Sequence, residues 1–291
     1  MTLREADVKG FLELQNPHER DSHITFAELG HKYFVHGKRW NDDVFGGRSS
    51  TTFIHHFFPE FDRDGCIATI LRNRKHQTDP SYKYYKMDRE TILASWAANG
   101  KAASEAGTAF HADVENHQNG IACSNDSVEW HQYLSFRADH PTWVPFRTEL
   151  MMYDESNRIT GSIDALMLDT TDGRLVMVDW KRSKAIKRTA FRRSDVGLFP
   201  LGTLPDSNFW HYSLQLNLYT DILRRKYGWD IKLCCLVVCY PTQTDYERID
   251  LPDMRYEIGL MLDYRKLQLM KEGRIEKDES VTSDEWSMIR I

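Results

Sequence analysis

The chain has 291 residues, 41% of them hydrophobic and 12% aromatic, which is the make-up of an ordinary globular protein with one large domain or two small ones. Its net charge of -5 gives no global sign of a polyanionic partner. The charged opening "MTLREADVKGFLELQNPHERD" lacks the apolar segment of a signal peptide, and no uncharged run of ~18 residues suggests a membrane span.

In chain order, residues 23–40 alternate like a hairpin with a turn near Leu29-Gly30. "SSTTFIHHFFPEFD" offers Ser and Thr caps before an apolar run, predicting a short helix that Pro59 interrupts. The stretch from Asp88 to Gly120 predicts two helices, the second beginning near Gly107-Thr108 and ending at Gly120. Three strand-like runs follow, "FRTELMMYD", "RITGSIDALMLDTT" and "RLVMVDWK". Asp154 to Asn157 joins the first two and Asp172-Gly173 the last two, a strong hairpin signal, so an antiparallel meander is expected. "FWHYSLQLNLYTDILRRKYG" reads as a long helix stopping at Gly228, and "IKLCCLVVCYP" as a buried strand ended by Pro241. Pro252 to Met270 forms an amphipathic helix with Ile258, Met261 and Leu262 on one face.

These elements predict an α/β fold: a central mixed β-sheet with an antiparallel meander, flanked by helices. One domain is expected, with an N-terminal hairpin and helical elaboration (1–106), a core (107–250) and a C-terminal helix and tail (251–291). Five cysteines in no paired spacing argue against a disulfide scaffold or zinc site and for an intracellular, reducing location. Cys234, Cys235 and Cys239 read as small apolar residues of a buried strand.

Within the meander, Asp179 and Lys181 are two residues apart on a strand and share a face. Asp164, across the Asp172-Gly173 hairpin, falls within about one diagonal step of Asp179, ~7–8 Å between Cα atoms. Two carboxylates and an ammonium on one face make a poor core and a good cation site. Glu149 stands on the preceding strand, and His111 and Glu115 share one helix face at i and i+4. Seven basic residues and no acid occupy positions 181–193, and "RNRK" at 72–75 forms a second basic cluster. Alone, the longer run fits either a solvated helix face or a phosphate-contacting patch.

Taken in order, His111, Glu149, "GSID" ending at Asp164, "VDWK" with Asp179 and Lys181, and "QLNLY" with Gln215 and Tyr219 resemble the PD-(D/E)XK nuclease superfamily, most of all its RecB-like exonuclease branch. The likeness covers about residues 107 to 220. Weaker likeness in "HKYFVHGKRW" and "SSTTFIHHFFPEFD" is similar to nucleases of viral and mitochondrial genome-maintenance type. Each motif is common by chance; the ordered set is specific. Two departures stand out. Cys66, Cys234, Cys235 and Cys239 do not make the iron–sulfur site of related branches, because adjacent cysteines on an apolar strand cannot all face one cluster. Arg182 stands where members of the family often have Thr or Ser.

The resemblance implies a restriction-endonuclease-like core and a Mg²⁺- or Mn²⁺-dependent deoxyribonuclease with one or two ions and no iron–sulfur cluster. It implies Asp164 and Asp179 as central ligands, His111 as a further ligand and the Trp180 backbone carbonyl as another. Glu149 would hold a second ion or a water, and Glu115 a supporting or structural place. Lys181 would orient or deprotonate the attacking water, or stabilise the transition state. Gln215 and Tyr219 would contact the nucleic-acid backbone or brace the lysine strand. Arg182, Ser183, Lys184, Lys187, Arg188, Arg192, Arg193, Arg72, Arg74 and Lys75 would contact DNA phosphates, while Tyr84, Tyr85 and, less so, Phe57 and Phe58 would stack on unpaired bases. The substrate expected is single-stranded or end-bearing DNA in replication, repair or recombination. Rivals are a structure- or site-specific endonuclease of a phage or mobile element, and a catalytically inactive nucleic-acid-binding module.

Overall fold

The computed structural model describes residues 10–27, 29–40, 46–276 and 282–289. In chain order its elements are α1 (Phe11–Gln15), a 3₁₀ turn (Asp21–His23), β1 (Ile24–Ala27), β2 (Lys32–Val35), β3 (Lys38–Arg39), β4 (Arg48–Ser49) and α2 (Ser50–His55). α3 (Arg63–Arg72), α4 (Arg74–Thr78), α5 (Arg89–Gln118) and α6 (Val128–Asp139) follow. The second half holds β5 (Trp143–Asp154), β6 (Ile159–Asp169), β7 (Arg174–Arg182), α7 (Asn208–Ile222), β8 (Ile231–Cys239), β9 (Glu247–Asp250), α8 (Arg255–Lys271) and α9 (Ser283–Met288). The chain divides into two units, one made of Met1–Pro59 and Asp113–Ile291, the other of Glu60–Ala112.

The first unit is built on a mixed sheet, as its sequence pattern predicts. β5, β6 and β7 form the expected antiparallel meander. β8 then pairs parallel to β7, β9 antiparallel to β8, and the two-residue β4 parallel to the start of β6. Helices cover both faces. On one, α7 and α8 bury Leu214, Leu218, Ile222, Ile258 and Met261 with Ile163, Met177 and Leu236 of the sheet. On the other, the rings of Tyr133 and Phe136 on α6 lie 5.4 and 5.3 Å from that of Trp180. Two covered faces explain why "LVMV" is an unbroken apolar run rather than an alternating one. β8 is apolar for the same reason: Cys235 and Cys239 are buried, Cys234 is partly so, and all three are free thiols.

Local signals account for most ends. Ser49 caps α2, its hydroxyl accepting from Thr52 N–H at 3.2 Å. α7 widens into a π-helical turn at Leu223–Tyr227 and stops at Gly228, whose φ of 68° is left-handed. The small sheet β1-β2-β3 contains the expected hairpin, with Gly30 at φ 83° in its turn.

Three expectations need correction. The Asp88–Gly120 stretch is one continuous 30-residue helix, α5, not two. A Cβ at Gly100 or Gly107 would meet nothing within 4 Å, so these glycines merely weaken the helix and do not break it. The β6–β7 turn is longer than the two residues Asp172-Gly173. Asp169 pairs with Arg174, and Gly173 (φ 71°) donates to Asp169 O at 2.8 Å across a four-residue turn. Finally, the basic run after Lys181 is an irregular loop, not a helix face. The elements α4, α6 and β9 carry too little periodicity to be read from the sequence.

In the second unit, an Arg89–Asp64 ion pair at 2.8 Å ties α3 to α5, and Trp96 Nε1 on α5 donates to Tyr84 Oη at 3.0 Å. His76 is buried there, its Nε2 2.8 Å from Met87 O.

Candidate active site

The longer turn changes how the two aspartates meet. With Ala165 paired to Val178, Asp164 and Asp179 are the next residues along their two strands. The β6–β7 ladder ends at that point. Instead of a backbone carbonyl, Asp164 Oδ2 accepts the Trp180 N–H at 2.9 Å. The β4 pairs stop at Thr160 and the β7 pairs begin at Ala165, so Gly161–Asp164 border a gap on that edge of β6. N–H and C=O of a strand residue point to the same side, so the Trp180 carbonyl faces this edge too.

Glu149 enters from β5. The β5–β6 ladder from Arg147↔Leu166 to Asp154↔Ile159 is complete except where Glu149 would face Asp164. There Glu149 has φ 45°, left-handed backbone that costs a glutamate about 1–3 kcal/mol and marks a position held by its surroundings. Burial, and then the charges of Asp164, Glu115 and Asp179, push its carboxyl up to about 8, against a 3.3 Å hydrogen bond from Ser162 Oγ that pulls the other way.

Lys181 completes the cluster. Its Nζ lies 2.5 Å from Asp179 Oδ2 and 4.6 Å from the centre of the Tyr212 ring on α7. Burial alone would lower its proton affinity. The charges of Asp179 and Asp164 outweigh burial and hold the ammonium above the ordinary lysine range. His111 stands on α5 one residue before the unit division, on the helical turn that continues into Asp113–Glu115. The carboxylates of Asp164, Glu115 and Asp179 thus crowd around that of Glu149, and Asp179 is engaged by Lys181.

This donor set suits a hard or borderline divalent cation. Carboxylates crowded enough to push one of them towards protonation are relieved by a positive ion such as Mg²⁺ or Mn²⁺.

Tyr219 is buried and braces β6. Its hydroxyl lies 2.7 Å from Ser50 Oγ and accepts from Gln215 Nε2 at 2.9 Å. A Cβ on Gly161 would come 2.6 Å from the Tyr219 ring, which explains the glycine of "GSID". Burial holds this phenol well above its usual range.

The basic residues separate into classes. Arg182 points to the opposite face from Lys181 and its Nε donates to Glu129 at 2.6 Å, so its guanidinium serves a buried glutamate. Ser183 Oγ donates to Ala185 O at 3.2 Å. Lys184, Lys187, Arg188, Arg192 and Arg193 are exposed on the loop after β7. Arg72, Arg74 and Lys75 are exposed in the second unit. Phe57 and Phe58 are core residues, and Tyr84 is partly buried and bonded to Trp96. Tyr212 and Phe191 are not legible in the sequence: nothing marks Tyr212 among the apolar positions of α7, and the basic residues around Phe191 mask it.

No family model and no curated protein matches the chain. Among solved structures, SSO0001 is similar at 16% identity and a TM-score of 0.27, over 50% of this chain and 60% of its own. A candidate exonuclease from Eubacterium rectale is similar at 15% identity and a TM-score of 0.30, over 61% of this chain and 62% of its own. The chain thus spans about three fifths of the length of each. Likenesses this slight bear on no activity. Among the described residues no helix is long and apolar enough to cross a membrane.

Proposed function

We propose that the chain is a divalent-metal-dependent nuclease that hydrolyses phosphodiester bonds of DNA, acting on single-stranded or free-ended substrate. The observation that carries this reading is the meeting of Glu149, Asp164, Asp179 and Lys181 at the gap where β6 and β7 part. Glu149, Asp164 and His111 would hold a Mg²⁺ or Mn²⁺ ion, with Asp179 and the Trp180 carbonyl beside them. Such an ion, when bound, neutralises charge at a phosphate and lowers the pKa of water. Lys181 is the cation of the site, beside Asp179. It orients the attacking water and offsets the charge that builds on the phosphate. Asp179 aims that ammonium, and Tyr212 covers its other side. Tyr219 and Gln215 fix β6, and Asp164 with it.

The test is digestion of end-labelled linear DNA and of circular single-stranded DNA with Mg²⁺ or Mn²⁺, by wild type and by Lys181→Ala. Wild type degrades the linear strand and leaves the circle intact, and Lys181→Ala is about 10²–10³-fold slower. Equal rates for the two proteins would sink the assignment of Lys181. Cleavage of the circle would replace an exonuclease by an endonuclease. A melting temperature that rises with Mn²⁺ in wild type but not in Asp164→Asn checks the metal site without activity.

A further inference from the structure

Between β7 and α7 the chain runs through 183–207 without a strand or helix, yet both limbs of this loop are fixed. On the outgoing limb Lys187 N–H donates to Asn208 Oδ1 at 2.8 Å, and Trp210 Nε1 donates to Arg188 O at 3.0 Å. The Arg188 guanidinium lies 3.8 Å above the Phe209 ring, and Asn208 Nδ2 donates to Ala185 O at 3.1 Å. On the returning limb Asp206 N–H donates to Asp195 O at 2.9 Å and Gly197 N–H to Leu204 O at 2.8 Å. Between the two, the tip at 189–194 turns where Arg192 N–H donates to Asp195 Oδ2 at 3.0 Å.

Phe191 sits in that tip and is 88% exposed, an unusual place for a large apolar ring. Its neighbours Arg192 and Arg193 are exposed as well, and no acid occurs from 181 to 193. The loop is anchored to Asn208, Phe209 and Trp210, the first turn of the same helix whose Tyr212 covers the Lys181 ammonium. One helix end therefore fixes both the reactive amine and the root of the tip. An exposed ring flanked by exposed cations has a ready counterpart: a nucleobase, flat and apolar on its faces, joined to phosphates.

We propose that Phe191 is a stacking platform for an unpaired nucleobase, with Arg192 and Arg193 holding the adjoining phosphates. This rests on the nuclease reading and specifies its substrate: a base can stack on Phe191 only if it is free of its complement, so the site prefers single-stranded DNA.

The experiment measures equilibrium binding of the full chain, in EDTA so that nothing is cleaved, to a dye-labelled oligo-dT and to a duplex of equal length. Phe191→Ala and Phe191→Leu are compared with wild type, and 2-aminopurine within an oligonucleotide reports stacking by its quenched emission. Phe191→Ala is expected to weaken oligo-dT binding about 5- to 150-fold, a loss of roughly 1–3 kcal/mol. Duplex affinity and the salt slope remain as in wild type, and Phe191→Leu is as weak as Phe191→Ala. Since the ring is exposed, both variants fold. Equal oligo-dT affinity for wild type and Phe191→Ala overturns the platform and leaves the nuclease reading standing. Wild type that binds neither DNA overturns both.

Discussion

Gly161→Ala tests how β6 is held. The new methyl would stand 2.6 Å from Tyr219 Cε1 and 3.1 Å from its Cζ and hydroxyl oxygen, where carbon–carbon contacts normally rest at about 3.5–4.0 Å. Roughly 1 Å must therefore be found, and neither partner yields easily. Gly161 is locked in the β5 ladder opposite Met152, and the Tyr219 hydroxyl is engaged by both Ser50 and Gln215. Overpacking of this kind costs about 1–3 kcal/mol, and each hydrogen bond lost by a displaced ring adds about 0.5–1.5 kcal/mol. A destabilisation of about 2–4 kcal/mol is expected, read as a lower urea midpoint with an unchanged slope. Tyr219→Leu in the Gly161→Ala background should recover part of the loss, because the two changes act on one contact. Activity should fall with Gly161→Ala as well, since Asp164 lies three residues along the same strand. A variant within about 0.5 kcal/mol of wild type would refute the reasoning, because the clash would then be relieved at no cost.

Glu149→Gln should alter how stability depends on pH. Between an unfolded pKa of about 4.3 and the folded value of about 8, the native metal-free chain keeps a proton that the unfolded chain has lost. Its stability therefore falls as pH rises through that window. Urea melts in EDTA from pH 5 to 8 should show this slope in wild type and a flatter one in Glu149→Gln, and saturating Mn²⁺ should flatten it too. Arg182→Ala should destabilise the fold by about 1–3 kcal/mol, because Glu129 loses its partner, yet leave the salt dependence of DNA binding unchanged. Arg192→Ala with Arg193→Ala should do the reverse, lowering the salt slope by about 1.4–1.8 with no change in melting temperature.

How far the sequence could be read depended on how local each signal was. Alternation and turn residues fixed the meander of β5, β6 and β7, and parity placed Asp179 and Lys181 on one face. The register of Asp164 and Asp179 was less legible, because it depends on two extra turn residues that pair Asp169 with Arg174. Glu149 could be assigned to a strand, but its left-handed backbone arises from its neighbours and leaves no mark in "TEL". Gly107 reads as the start of a second helix, yet the cost of a glycine is small against thirty residues of continuous helix. Arg182 and Arg192 are alike in sequence; only the buried Glu129, 53 positions upstream, separates a structural guanidinium from a surface one.

The apolar packing of β8 has a practical corollary. Burial pushes the thiol of Cys234 up to about 11 and that of Cys239 up to about 12, and raises Cys235 further. Cys123 is also raised, by burial and then by Asp113, and its Sγ donates to Asp113 O at 3.3 Å. Because alkylating reagents attack the thiolate, these four sulfurs are expected to react slowly at neutral pH, which a timed alkylation followed by mass spectrometry checks. Cys66, partly exposed on α3, is left as the natural attachment point for a fluorophore or spin label. The 60–112 unit can thus carry a spectroscopic reporter without an engineered cysteine.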